Sequence, residues 1–182
     1  MKTLADRLRY YAKRFPIAEL DSSYHFFPTR QNKDLWLNNT PSGFTFDLWA
    51  YSLFTGQPTT VGSLPKTIRE EYEELANHKG NLYLHHLTPD VINRLWEIFA
   101  SFVKEVDSAG KLGVLLFQFP PWFYPNQENL DYLLACRRRF PDYQLAVEFR
   151  TGSWFSGEQI KETLYFYGSI KLLLSVLTNL RD

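Results

Sequence analysis

The stretch from Leu112 to Phe119 is apolar or small at every position except Gln118, and Pro120-Pro121 closes it. A strand that is apolar on both faces must be covered on both faces, which is the habit of a parallel sheet flanked by helices. The flanking segments agree. Before it, Pro89–Lys104 carries Val91, Leu95, Ile98, Phe99 and Phe102 at helical spacing, with Thr88 as a cap and Pro89 at the first helical position. After it, Asn126–Phe140 has the pattern of a second helix. A helix–strand–helix core of this kind requires crossover connections rather than hairpins.

The rest of the chain repeats the alternation. Thr3–Phe15 predicts a helix with Leu4, Leu8, Tyr11 and Phe15 on one stripe, stopped by Pro16. Ile17–Leu20 predicts a strand, Gln31–Asn39 a short helix, and Phe44–Tyr51 an aromatic strand. Thr55–Leu87 is long and mixed, a loop with Gly56, Pro58, Gly62 and Pro65 followed by a charged helix over Lys66–Ala76. Gln144–Arg150 predicts a strand, Glu158–Phe166 a helix and Ile170–Leu177 a last apolar strand. The order is that of an α/β fold with parallel strands in one domain spanning residues 1–182.

Charge and cysteine use narrow the function classes. Lys plus Arg and Asp plus Glu both total 20, so nothing favours nucleic acid or an anionic membrane. Cys136 stands alone and cannot form an internal disulfide, which implies a cytoplasmic, reducing address. Met1–Arg14 is charged and amphipathic rather than a leader, and no apolar run nears the roughly 18 residues a membrane span needs.

In parallel α/β folds, sites form where strands end. Those places hold Glu19, Asp21, Ser22 and Ser23 after the first strand, Asp47, Trp49 and Tyr51 on the aromatic strand, Gln118 on the long strand, and Glu148 and Arg150 with Trp154 beyond. Residues two apart on a strand share a face, so Glu148 points with Arg150 and Glu19 with Asp21. Paired carboxylates divide acid and base roles when their surroundings push their pKa values apart. An adjacent guanidinium holds an anionic group through parallel hydrogen bonds. The competing reading is an ion network of Glu19, Glu148 and Arg150 that closes the barrel floor. Ser22 and Ser23 suit turn capping better than nucleophilic attack. His85-His86 should diverge on an extended backbone, and with no carboxylate or cysteine cluster beside them a shared metal is not expected. His25, Cys136 and the Arg137-Arg138-Arg139 run read as surface or packing residues, and Gly-rich phosphate motifs are absent from the sequence.

Four ordered motifs carry a resemblance. Phe15-Pro-Ile-Ala-Glu-Leu-Asp-Ser-Ser-Tyr24, Phe44-Thr-Phe-Asp-Leu-Trp-Ala-Tyr51, Lys111-Leu-Gly-Val-Leu-Leu-Phe-Gln-Phe-Pro-Pro-Trp-Phe123 and Val147-Glu-Phe-Arg-Thr-Gly-Ser-Trp-Phe155 resemble the YecE-like domain of unknown function, from about residue 3 to about residue 165. The resemblance implies an incomplete TIM-type (β/α) barrel with parallel strands, lacking the first and the last strands, in the cytoplasm of a bacterium or archaeon. The family pattern begins with a strand and a Gly-Trp loop that this chain does not show, and residues 168–182 read as a divergent tail. The missing strands imply two open sheet edges and self-association through them. The family usually carries a lysine where this chain has Trp49.

The resemblance places family motif residues at Glu19, Ser23, Tyr24, Gln118, Glu148, Arg150 and Trp154. It leaves the cofactor unknown and settles no reaction. The expected function is an enzyme-like cleft for a small polar or anionic ligand, sugar- or phosphate-bearing. Glu19 and Glu148 are its acid–base candidates and Arg150 an anion clamp. Gln118 orients by hydrogen bonding, Ser23 and Tyr24 contact the ligand, and Trp154 forms a stacking wall. The alternatives are a non-catalytic binding barrel and an inactive remnant.

Overall fold

The computed structural model describes residues 3–175. Five strands form one parallel sheet in chain order: β1 (Ile17–Leu20), β2 (Thr45–Trp49), β3 (Leu112–Phe119), β4 (Leu145–Phe149) and β5 (Leu172–Ser175). The expected long apolar strand coincides with β3 residue for residue. Val176 and Leu177, the end of the expected last strand, lie outside the described residues. The architecture is α/β, and among the described residues the sheet of five is open rather than closed into a barrel.

The helices are α1 (Leu4–Ala12), α2 (Ser22–His25), α3 (Arg30–Asn38), α4 (Lys66–Glu71), α5 (Pro89–Ser108), α6 (Gln127–Arg139) and α7 (Gln159–Ile170). Thr3, Thr29, Thr88 and Asn126 cap α1, α3, α5 and α6 by accepting a backbone N–H. Helix α5 runs a turn further than expected, to Ser108, and Gly110 at φ 65° follows its cap. The charged helix over 66–76 is shorter than expected. Tyr72 leaves helical geometry at φ −124°, ψ 74°, and the chain continues as a 3₁₀ turn over Glu73–Asn77. The apolar stripe expected on α1 is not buried: Leu4 is 67% exposed and Phe15, past the helix end, 51%. The reason is local: Arg14 and Phe15 fold back onto Tyr11, and the Phe15 ring stacks on Tyr11 at 4.7 Å instead of entering the core.

The two faces of the sheet differ. One carries Phe46, Leu48, Leu115, Phe117, Phe119, Leu145 and Val147, all buried. It packs with Val91, Leu95, Trp96, Phe99 and Phe102 of α5 and with Leu133, Cys136 and Phe140 around α6. Phe54 stacks on Trp96 at 3.6 Å and 11°, and Phe140 bridges Trp96, Phe99 and Phe117. Each fully buried ring of this kind contributes roughly 1.5–3 kcal/mol by leaving water. Cys136 belongs to this layer, and burial pushes its thiol up to about 12, so it is an inert packing group.

The other face is partly open, with Ile17 42% and Leu173 45% exposed. Two devices hold the sheet in register there. Lys111, buried at the head of β3, donates to Thr40 O, Thr40 Oγ1 and Pro41 O at 2.7–2.8 Å, tying β3 to the turn after α3. The β2–β3 ladder slips between Phe46 and Leu48. At that slip the Asp47 carboxylate accepts the Val114 N–H at 2.8 Å, crossing Gly113.

Candidate functional site

The register determines which strand-end residues meet. Glu19 pairs with Asp47; Trp49, two residues on, pairs with Leu116; Gln118, two further, pairs with Glu148. In-register partners of parallel strands point the same way, and so do residues two apart. Glu19, Trp49, Gln118 and Glu148 therefore share the open face, at the carboxyl ends of four neighbouring strands.

Their side chains link in two pairs. Trp49 Nε1 donates to Glu19 Oε2 at 3.2 Å, so at the position where the resembled family carries a lysine this chain supplies an uncharged donor. Gln118 Nε2 donates to Glu148 Oε1 at 2.9 Å. Glu148 is 2% exposed, and its other oxygen, Oε2, has no hydrogen-bond partner among the described residues. Burial raises the Glu148 pKa above the ordinary range, and the nearby Glu19 charge adds to this. The Gln118 hydrogen bond and the Arg150 charge work against it.

Arg150 is exposed, and among the described residues it makes no ion pair within 4.0 Å. The ion network weighed against a ligand site is thus not formed by these residues. The guanidinium lies close enough to act electrostatically on both Glu148 and Tyr24. Tyr24 is half-buried and meets Trp49 edge-on at 5.8 Å and 86°. Burial pushes its phenol up, while a hydrogen bond with Gln57 and the Arg150 charge pull it down.

Two expected site residues have structural partners instead. Trp154 is fully buried, 0% exposed, stacked on Phe149 at 4.0 Å and 9° and donating its indole N–H to Phe123 O at 2.7 Å. The chain leaves the strand at Phe149 and makes a 3₁₀ turn over Gly152–Phe155, which carries Trp154 to the packed side of the sheet. Ser23 is 1% exposed, its hydroxyl between Leu20 O and Trp49 O at 2.7 Å each. It fastens the turn after β1 to the end of β2. Asp47, also at a strand end, is committed to Val114.

Sequence reasoning missed Gln57. Its Nε2 donates to Gln118 O at 3.3 Å and its side chain reaches Tyr24. It lies in an irregular loop where no periodicity marks it; only the turn residues Gly56 and Pro58 beside it signal a fixed position. The histidines also differ from expectation. His85 and His86 sit in a 3₁₀ turn, which brings their rings to 4.2 Å, with His78 4.8 Å from His86. His86 Nδ1 accepts the Tyr83 N–H, and no group of three His, Cys, Asp or Glu among the described residues is arranged to hold a metal.

Comparisons with known proteins follow from this frame. The family model described as a protein of unknown function, DUF72, matches residues 1–176, past the point near residue 167 where the sequence was expected to diverge. The chain is 33% identical over 160 residues to the UPF0759 protein YunF of Bacillus subtilis (strain 168), a match covering 88% of this chain and 48% of that protein. It thus spans about half the length of its curated relative. Among solved structures, a DUF72 family protein from Enterococcus faecalis V583 superimposes with a TM-score of 0.71 at 23% identity, covering 94% of this chain and 59% of that one. A DUF72 family protein from Thermotoga maritima MSB8 gives 0.63 at 25% identity, covering 93% and 54%. These likenesses support the fold.

Proposed function

The chain belongs to the DUF72 family, and from that premise we propose that its five strands are one side of a TIM-type barrel lacking its first and last strands, with a proton-transfer cleft for a small polar ligand at the carboxyl rim. One observation carries the reading: the Glu148 carboxyl is buried, one oxygen held by Gln118 and the other unpartnered among the described residues. A buried polar atom with no partner is costly unless something binds it. Burial and the nearby Glu19 charge raise the Glu148 pKa and so favour its protonated form, in which Oε2 donates a proton to a ligand oxygen. Glu19, exposed and held by Trp49, is the carboxylate that accepts one. Gln118 orients the acid, Tyr24 lines the wall, and Arg150 takes an anionic substituent where the ligand has one.

The pH dependence of stability tests this. A carboxyl whose folded pKa lies above its unfolded value binds more protons in the folded state, so stability is present at low pH and falls as pH rises through the folded pKa. Each unit of elevation costs about 1.4 kcal/mol on the alkaline side. Glu148→Gln removes the ionisation and keeps the shape. As pH rises from below the ordinary carboxyl range through the raised folded pKa of Glu148, the wild type should lose stability relative to this variant in urea unfolding. Parallel pH profiles of the two proteins would sink the reading.

The same proposal covers assembly and setting. It treats residues 1–182 as one partial domain in the cytoplasm, without nucleic-acid or membrane partners, supported by the balanced charge and the buried lone thiol. No helix among the described residues is long and apolar enough to cross a membrane. Among those residues β1 and β5 each pair on one side only, and Ile17 and Leu173 lie exposed on them. Parallel edges of this kind recruit further strands, so light scattering should find species larger than one chain. A monodisperse monomer across the concentration range would refute the self-association.

A further inference from the structure

Beyond the acid itself, the carboxyl rim carries exposed rings that neither the core nor the proton-transfer cleft uses. Phe26, at the end of α2, is 43% exposed. Trp122 and Tyr124, in the loop after β3, are 56% and 54% exposed. They flank Phe123, which is buried and stacks on Phe119 at 4.1 Å, so the loop is anchored in the core while its two outer rings face solvent. Asn129 Nδ2 donates to Tyr124 O at 2.7 Å and fixes the loop from the α6 side. A cavity of about 310 Å³ is lined by Phe123 and Asn129 of this region together with Thr55, Gly56, Leu84 and Tyr132. Rings held by a rigid loop in water are positioned for a flat partner.

The polar groups at the rim restrict what that partner is. Glu148 offers a buried carboxyl oxygen without a partner among the described residues, Gln118 and Gln57 offer amides, Tyr24 a hydroxyl and Glu19 an acceptor. Arg150 and Glu19 offset each other in charge. That set of alternating donors and acceptors, with no excess of cations, matches hydroxyl groups better than phosphates, and a nucleic-acid strand would require a basic groove. Resting on the proton-transfer reading, we infer that the cleft takes a neutral oligosaccharide, one sugar unit at Glu148 and Glu19 and its neighbours stacked by their C–H faces on Trp122 and Tyr124. The rings set the length of ligand recognised, and the carboxyls set the unit that is acted on.

Isothermal titration of the full chain against cellohexaose, maltohexaose and chitohexaose, with inorganic phosphate and single-stranded oligothymidylate as rival probes, tests it. One hexasaccharide should bind, and the double variant Trp122→Ala/Tyr124→Ala should weaken it about tenfold with an unchanged melting temperature, since both rings are exposed. Binding of none of the three saccharides, saccharide binding indifferent to the double variant, or binding of oligothymidylate or phosphate in their place would overturn the inference. The two levels separate by following the Glu148 carboxyl by NMR. An ordinary carboxyl titration defeats the proton-transfer reading itself. A raised one without saccharide binding defeats only the choice of ligand.

Discussion

Trp154→Ala is expected to destabilise the protein by about 3–5 kcal/mol, the range for deleting a fully buried large aromatic. The residue is 0% exposed and sits in a stack that runs from Phe123 through Trp154 to Phe149, with Tyr167 edge-on to Phe149. Truncation opens a cavity among rigid rings that cannot collapse into it. It also strands Phe123 O, which accepts the indole N–H at 2.7 Å, and loosens the turn whose Trp154 O accepts the Thr163 hydroxyl. Urea unfolding measures the loss directly. The same experiment decides between packing and ligand contact. A variant that unfolds like the wild type but binds its ligand less well would return Trp154 to the cleft wall, against the geometry.

Gly113→Ala should be almost as damaging, about 3 kcal/mol, although it adds a single methyl group. A Cβ built at Gly113 falls 2.2 Å from Asp47 Oδ1 and 2.6 Å from Thr45 Cγ2. Neither neighbour is free to give. Asp47 Oδ1 accepts the Val114 N–H and pins the slipped register of β2 against β3, and Thr45 lies within a strand paired on both sides. Overpacking and the loss of a charge-assisted hydrogen bond therefore add. A thermal melt of Gly113→Ala beside Asp47→Asn separates the two. If the alanine variant melts within a degree or two of the wild type, the close crossing described here is wrong.

What could be read in the residues, and what could not, follows from the range of each signal. β3 was legible to its last residue because apolar runs and Pro-Pro punctuation act locally. The shared face of Glu19, Gln118 and Glu148 was legible only as a rule about strand ends. Their actual neighbours depend on register, and the β2–β3 slip at Gly113 is invisible to a period-two pattern. The surroundings of Trp154 and Ser23 were hidden for one reason, although turn capping was the reading preferred for Ser23 and its hydroxyl does hold that turn. Both lie just past a strand, where the chain turns helical and alternation ceases to say which way a side chain points. Phe15 was read as part of an apolar stripe, but spacing reports a face, not whether anything covers it. Gln57 sits where no periodic rule applies.

Gln57 also bears on the acid proposed at Glu148. It grips the main chain of Gln118, whose own amide grips Glu148, so a single residue stands between an irregular loop and that carboxyl. The loop is moored at its far end by the hydroxyls of Tyr51, Thr59 and Ser63, within 3.0 Å of one another. Between those moorings it acts as a short lever. A visitor that lifts Gln57 slackens the grip on Oε1, removes one influence that favours the ionised form, and leaves the carboxyl a weaker acid than before. In the proposed cleft, arrival and acidity would then be one event.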